Sequence, residues 1–181
     1  GYLKELDENP IRVEKVKQKI NDGAGGILEI DKSMPIWVEP IKENGQTNMK
    51  GAFEMAEEII KKWISDKPNN PAPVIINISD GVPFFDGQEV DICMQQTIEI
   101  VNRIKSIETK DGKIQIFNAM IGDGAKTKFP SSESELKDEE AKFLYEISTE
   151  IPASYKGAAE KNGFSYNSGA RGLICQCDGV E

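Results

Sequence analysis

The stretch that decides the fold is Val74-Ile75-Ile76-Asn77-Ile78-Ser79-Asp80-Gly81. Its β-branched apolar run follows Pro73 and ends at a turn-forming Asp-Gly pair, which is typical of a buried strand in a parallel sheet. Because such strands are covered by helices on both faces, we expect helical segments on either side of this stretch in the chain.

Amphipathic patterns on both sides of the strand predict these helices. Residues 49–64 and residues 90–107 each place apolar side chains at helical spacing, so that one face of each helix is predicted to point inward. The inward faces are predicted to be Met49, Phe53, Ala56, Ile59, Ile60 and Trp63 in the first helix, and Val90, Met94, Thr97, Val101, Ile104 and Ile107 in the second.

The remaining sequence continues the alternation. Residues 113–119 and 172–177 are predicted to be buried strands, and residues 138–148 and 152–162 helices. Strand and helix in turn predict an α/β fold, a Rossmann-like doubly wound and mostly parallel sheet, within a single domain over residues 1–181. The N-terminal part is less regular. Residues 11–20 are predicted to be helical, with a glycine-rich loop after them.

Composition excludes several kinds of function. The net charge of −9 argues against a nucleic-acid partner, because phosphate binding needs clustered Lys and Arg. The chain has no histidine, which removes Ser-His-Asp and Cys-His catalysis and histidine zinc sites. Its three cysteines make no disulfide framework and favour a reducing compartment, where we expect Cys93, Cys175 and Cys177 to be inert. No apolar run is long enough for a membrane helix.

Thr47 and Asp80 are the candidate metal ligands. Thr47 precedes the first predicted helix and Asp80 follows the deciding strand, where ligands of α/β sheets bind. Hydroxyl and carboxylate oxygens are ligands that Mg²⁺ accepts. Each residue also has a structural interpretation, since Thr47 could cap the helix and Asp80 could form the turn before Gly81.

The order of several motifs resembles the von Willebrand factor A family, in its bacterial members. The resemblance covers most of the chain and rests on the segments around Thr47 and Asp80, together with more peripheral matches. These are Pro35-Ile36-Trp37-Val38-Glu39-Pro40, Thr109-Lys110-Asp111-Gly112, Phe129-Pro130 and Gly169-Ala170-Arg171-Gly172.

The resemblance implies a binding module, not an enzyme. In that family a threonine and an aspartate at these places help to form a metal-ion-dependent adhesion site. Thr47 would then bind Mg²⁺ directly, and Asp80 directly or through water. An open position on the ion would take a carboxylate from a protein partner, whose identity the sequence does not give. Bacterial cytoplasmic assemblies are the setting that the resemblance suggests.

The chain departs from the family in one respect. The family's site also uses an Asp-x-Ser-x-Ser segment after the first, central strand, and this sequence contains none. We expect N-terminal truncation, since the chain begins at Gly1 and ends soon after its last strand, with loss of the metal as the second explanation. A sheet without its central strand exposes unpaired edges, so we expect residues 1–181 alone to be poorly soluble or molten.

Two other functions stay open. A Mg²⁺-dependent phosphoryl-transfer enzyme or hydrolase on a related fold would use Asp80, the loop at Gly122 and Asp123. That loop lacks the Gly-Lys-Ser/Thr order of a phosphate-binding loop, and Phe129-Pro130 prevents an immediate helix. The third possibility is a metal-free structural domain.

Overall fold

The computed structural model of the chain describes residues 8–21, 23, 26–39, 45–122 and 126–176. The chain divides into two compact units, Gly1–Gly45 and Gln46–Glu181. The strands are β1 (Arg12–Asn21), β2 (Ile27–Ile36), β3 (Val74–Ser79), β4 (Glu108–Thr109), β5 (Gly112–Lys113), β6 (Gln115–Met120), β7 (Thr127–Lys128) and β8 (Leu173–Cys175). The α-helices are α1 (Met49–Asp66), α2 (Val90–Lys105), α3 (Glu139–Ile147) and α4 (Lys156–Lys161), with short 3-10 turns at Glu133–Glu135 and Ala153–Tyr155.

The N-terminal unit is a β-hairpin, so the predicted helix over residues 11–20 is wrong. β1 pairs with β2 in antiparallel register from Arg12↔Ile36 to Asn21↔Ile27. Val13, Val16 and Ile20 have spacing that fits a helix, but they are β-branched and lose side-chain freedom in one. Pairing with an equally long strand across the loop supplies the backbone hydrogen bonds.

The second unit contains a four-stranded sheet in the order β3-β6-β8-β7. β3 pairs parallel with β6 and β6 pairs parallel with β8, whereas β7 is antiparallel to β8. The predicted mixed α/β class with a mostly parallel sheet is therefore confirmed. β4 and β5 form a separate two-stranded ladder at the turn before β6.

One face of the sheet carries the hydrophobic core. Ile116 of β6 and Leu173 of β8 are fully buried, as are Val101 and Ile104 of α2 and Leu144 of α3. Close packing extends to the backbone. A Cβ atom at Gly172 would lie 2.5 Å from the Phe117 ring, so only glycine fits there without a shift.

A buried polar network ties β3 to β6 and α3. Asn118 is 3% exposed and accepts a hydrogen bond from the Asn77 amide at 2.8 Å. The Asn118 amide in turn donates to the Leu144 carbonyl at 3.2 Å and to the Ser148 hydroxyl at 2.8 Å. These bonds fix β3, and with it the start of the turn at Asp80, relative to the core.

The opposite face of β3 is open, so the prediction of a strand buried on both faces is wrong. Val74, Ile76 and Ile78 are 47%, 71% and 66% exposed, while the alternate residues are partly buried. The register with β6 aligns these exposed residues with Gln115, Phe117 and Ala119, none of which is fully buried. Among the strands that the structure describes, β3 forms an edge of the sheet, which the apolar sequence alone does not reveal.

The predicted inward face of α1 is only partly correct. Met49, Phe53 and Ile60 are buried, but Ile59 and Trp63 are 62% and 39% exposed. In α2 the core positions Thr97, Val101 and Ile104 are confirmed, and Cys93, Ile98 and Ile100 are buried beside them. The C-terminal half of α1, which contains Ile59 and Trp63, therefore carries apolar side chains toward β3 as well as toward the core.

Candidate functional site

Thr47 lies in the loop that leads into α1, and its side chain is exposed. Its carbonyl accepts hydrogen bonds from the Met49 amide at 2.9 Å and from the Phe84 amide at 3.0 Å. The helix is capped by Asn48, whose side chain accepts from the Gly51 amide at 2.8 Å. The Thr47 hydroxyl therefore does not cap the helix.

Asp80 lies directly after β3 at the carboxyl end of the parallel strands, and it is exposed. Its Oδ1 accepts a hydrogen bond from the Val82 amide at 3.0 Å, which closes an Asx turn. The Ser79 hydroxyl accepts from the Gly81 amide at 3.0 Å in the same turn. The structural role proposed for Asp80 as a turn former is thus confirmed, and the rest of the carboxylate faces outward.

The turn after Asp80 is held tightly in place. Gly81 has a φ of 86°, and a Cβ atom there would lie 2.9 Å from the Cβ of Glu140 at the start of α3. The next residues return to the core, since Pro83 and Phe85 are fully buried. A left-handed glycine and two buried anchors give Asp80 a fixed backbone position.

The structure joins the Thr47 loop to the segment that follows the Asp80 turn. Thr47 and Phe84 form an isolated antiparallel bridge. Beside it, the Gln46 side chain accepts a hydrogen bond from the Asp86 amide at 2.7 Å. The strand-to-helix loop after β3 is thus joined twice to the loop before α1.

Sequence reasoning missed the residues that make this junction. Gln46 and Phe84 had no role in the predicted site, because a pairing between distant loops leaves no periodic pattern. One local signal was present, since Asp86-Gly87 is a turn-forming pair and Asp86 has a φ of 55°. It marks the place where the loop reverses to meet Gln46.

Thr47 offers a hydroxyl and Asp80 a carboxylate, each on a loop whose backbone is held by hydrogen bonds. Both are oxygen donors, which suits a hard cation such as Mg²⁺, and two side chains are few enough that such an ion would keep most of its waters. Within the described ranges, no three His, Cys, Asp or Glu side chains form a metal-holding group. That finding does not bear on a site made of Thr47 and Asp80.

The other predicted sites differ in how far the structure reaches them. Asp123 and the centre of the glycine-rich loop after β6 lie outside the described residues, as does Cys177. Cys93 and Cys175 are both buried, which is the environment expected of inert cysteines. Cys93 lies 3.6 Å from the Phe85 carbonyl and so packs under the site loop.

The two groups with the most strongly shifted pKa values, Glu57 and Lys105, lie away from the candidate site. Hydrogen bonds from Arg103 and Lys61 lower the pKa of Glu57 to about 2, although its burial acts in the opposite direction. Burial and the charge of Arg171 lower the pKa of Lys105 to about 8. Both groups stabilise helix contacts: Glu57 joins α1 to α2, and Lys105 donates to the Glu146 carbonyl near the end of α3.

The comparisons add no family to these observations. No family model, curated protein or solved structure matches the chain. In the described part of the chain, none of the helices is both long and apolar enough to cross a bilayer.

Proposed function

We propose that this chain is a recognition module with a von Willebrand factor A-like fold, which binds a carboxylate of a protein partner through Mg²⁺. Thr47 and Asp80 would hold the ion. The observation that carries the proposal is the bridge between Thr47 and Phe84, which joins the Thr47 loop to the segment that follows Asp80. The proposal requires that Thr47 and Asp80, the two metal ligands, lie on adjacent loops. The bridge supports this arrangement.

The local hydrogen bonds support the same assignment. Thr47 holds its neighbours through its carbonyl, so its hydroxyl is not needed for the bridge or for the helix cap. The Asx turn occupies one oxygen of Asp80 and aims the residue away from the core. Neither side chain is buried, so an ion and a partner group could both approach.

Two protein ligands imply weak binding of the free ion. Mg²⁺ takes about six oxygen ligands at near-octahedral geometry, so water and the partner carboxylate would fill the remaining positions. The Asp-x-Ser-x-Ser segment of the family is absent from this sequence. When bound, the ion would supply a Lewis-acidic anchor for an anionic group, and the protein would contribute its position and the surrounding surface. Cytoplasmic location and a bacterial setting belong to the same proposal.

The experiment is a Mg²⁺ titration of the ¹⁵N-labelled chain, followed through the amide signals of Thr47 and Asp80. We expect saturable shifts at both residues, and a further change on addition of acetate only when Mg²⁺ is present. Thr47→Val removes the hydroxyl and keeps the backbone bridge, while Asp80→Asn keeps the turn acceptor and removes the charge. Each variant should abolish the shifts.

The control is Asp86→Asn, which removes a nearby exposed carboxylate outside the proposed ligand pair. It should titrate like the unmodified chain. Shifts that persist in both Thr47→Val and Asp80→Asn, or that are absent at millimolar Mg²⁺ in the unmodified chain, would overturn the metal site. Acetate shifts that need no Mg²⁺ would point to a metal-free binding module instead.

A further inference from the structure

The free edge of β3 presents a defined set of backbone groups. Among the described strands β3 pairs only with β6, and its other side is an edge of the sheet. The Pro73 and Ser79 carbonyls accept from the Gln115 and Ile121 amides on the β6 side. Because backbone groups alternate in direction along a parallel strand, the N–H and C=O groups of the even-numbered residues point to the open edge. These residues are Val74, Ile76 and Ile78.

This edge lacks the usual protection against pairing. Natural edges carry inward-pointing charges, lysines, central prolines or bulges. From residue 71 to residue 79 the sequence contains no charged side chain, and both of its prolines come before the strand. Ile76, at the centre of the edge, is 71% exposed. A chain with a net charge of −9 thus has an uncharged, β-branched strand available at its surface.

A helical stripe lies alongside the same edge. Met55, Ile59 and Trp63 of α1 follow one another at intervals of one turn and are 64%, 62% and 39% exposed. A groove of about 570 Å³ separates the C-terminal half of α1 from β3. Its lining is apolar, with Ile59 and Trp63 on the helix side and Pro71 and Val74 on the strand side. The groove makes the α1 stripe adjacent to the strand edge, while Ile76 and Ile78 extend the apolar surface on the opposite face of the sheet. We call the edge and the stripe together the β3 patch.

We propose that the β3 patch binds the same patch of a second copy of this chain, by antiparallel pairing of the two β3 strands around Ile76. In this arrangement Val74 of one copy lies opposite Ile78 of the other, and the α1 stripes meet above the strands. Three outward residues in each copy give up to about six hydrogen bonds across the two-fold axis. The proposal is independent of Mg²⁺ binding at Thr47 and Asp80.

Self-complementarity favours a second copy over an unrelated partner. A two-fold interface brings identical surfaces together, so it needs a patch without net charge and with matching shape on both sides of the axis. The β3 patch meets the charge requirement, and β-branched side chains make good cross-strand pairs. Pairing of two six-residue strands with their flanking side chains would form an interface at the small end of the usual size range, in keeping with association at micromolar concentration.

Sedimentation equilibrium of the full chain tests the dimer. We expect a dimer at micromolar concentration, a loss of at least tenfold in association for Ile76→Lys, and a similar loss for Ile59→Lys on the helix stripe. Ile92→Lys is the matched control, because Ile92 is 48% exposed on α2 and lies outside the patch. Far-ultraviolet circular dichroism shows whether each variant stays folded.

Cross-linking tests the register. In the proposed pairing two Ile76 residues face each other at a Cα separation of about 5.5 Å, which a disulfide can span. Ile76→Cys should form a disulfide-linked dimer under mild oxidation and Ile92→Cys should not. A monomer at all concentrations, a dimer that survives Ile76→Lys, or a dimer in which Ile76→Cys does not cross-link would each overturn the proposal, as would open-ended aggregates that Ile76→Lys does not disperse.

Discussion

Ile116 and Ile76 lie in neighbouring strands of one sheet, yet the first is fully buried and the second is 71% exposed. The two strands are similarly apolar and pair in parallel register. The difference comes from the face of the sheet, because Ile116 and its register partner Ile75 point to the face that carries the core, whereas Ile76 aligns with Phe117 on the open face. Comparable composition therefore supports a core in one strand and a potential interface in the next.

Truncation of the buried isoleucine should destabilise the fold far more than truncation of the exposed one. Ile116→Ala should lower the free energy of unfolding by about 3 kcal/mol, because it leaves a cavity in a site packed on all sides. Ile76→Ala should change it by less than about 0.5 kcal/mol in dilute solution, where no partner covers the side chain. Urea denaturation of both variants checks the pair.

The protein concentration should affect the stability costs of Ile76→Ala and Ile116→Ala differently. If the β3 patch associates, the stability of the unmodified chain rises with concentration, since association favours the folded state. Ile76→Ala should then become more destabilising at high concentration, while Ile116→Ala keeps its cost. Equal costs for the two substitutions in dilute solution would show that β3 is covered after all.

The difference between the two strands also shows what could be predicted from the sequence. Strand and helix positions in the second unit were correct to within a few residues, because apolar periodicity reports local geometry. Exposure was not, since Ile76 and Ile116 occupy similar local patterns and the face of the sheet that each one occupies decides which is covered. The hairpin was missed because the spacing of Val13, Val16 and Ile20 fits a helix and not the two-residue period of a strand.

The candidate site follows the same rule. Thr47 and Asp80 were identified from local context, and the structure places each in the predicted kind of loop. Their common anchor at Phe84 was not predictable, because pairing of distant loops depends on tertiary packing. Asn48, not Thr47, caps α1, which agrees with the stronger preference of asparagine for the N-cap position.

An intermediate effect is expected at the ion pair on the covered side of α1. Glu57 is 6% exposed, and its carboxylate lies 2.6 Å from the Arg103 guanidinium and 2.8 Å from Lys61. Arg103→Ala leaves this carboxylate with one cation. We expect a measurable loss of stability at neutral pH, smaller than for a fully buried pair because the Arg103 side chain is 56% exposed.

Acid titration provides the second readout for this pair. The pKa of Glu57 is lowered from 4.5 to about 2, so its contribution is complete above about 4.5 and is lost as the pH falls through about 2. Arg103→Ala should reduce this acid dependence. The control is Lys142→Ala, which breaks the exposed pair with Glu139 and should cost little. An Arg103→Ala variant with the acid dependence of the unmodified chain would contradict the assignment.

The smallest expected effect compares two lysines that line one groove beside the start of β6. Lys105 has a pKa lowered to about 8 by burial and by the charge of Arg171, whereas the Lys113 side chain is 63% exposed. Between about pH 8 and 10.5 the unfolded chain holds a proton that folded Lys105 has lost. The free energy of unfolding therefore rises with pH across this window. Partial exposure keeps the effect below about 1 kcal/mol. Lys105→Met should remove the rise and Lys113→Met should leave it, as measured by urea denaturation at several alkaline pH values. If the free energy of unfolding rises equally with pH in both variants, Lys105 is not the source of the rise. Its burial would then be too small to lower its pKa.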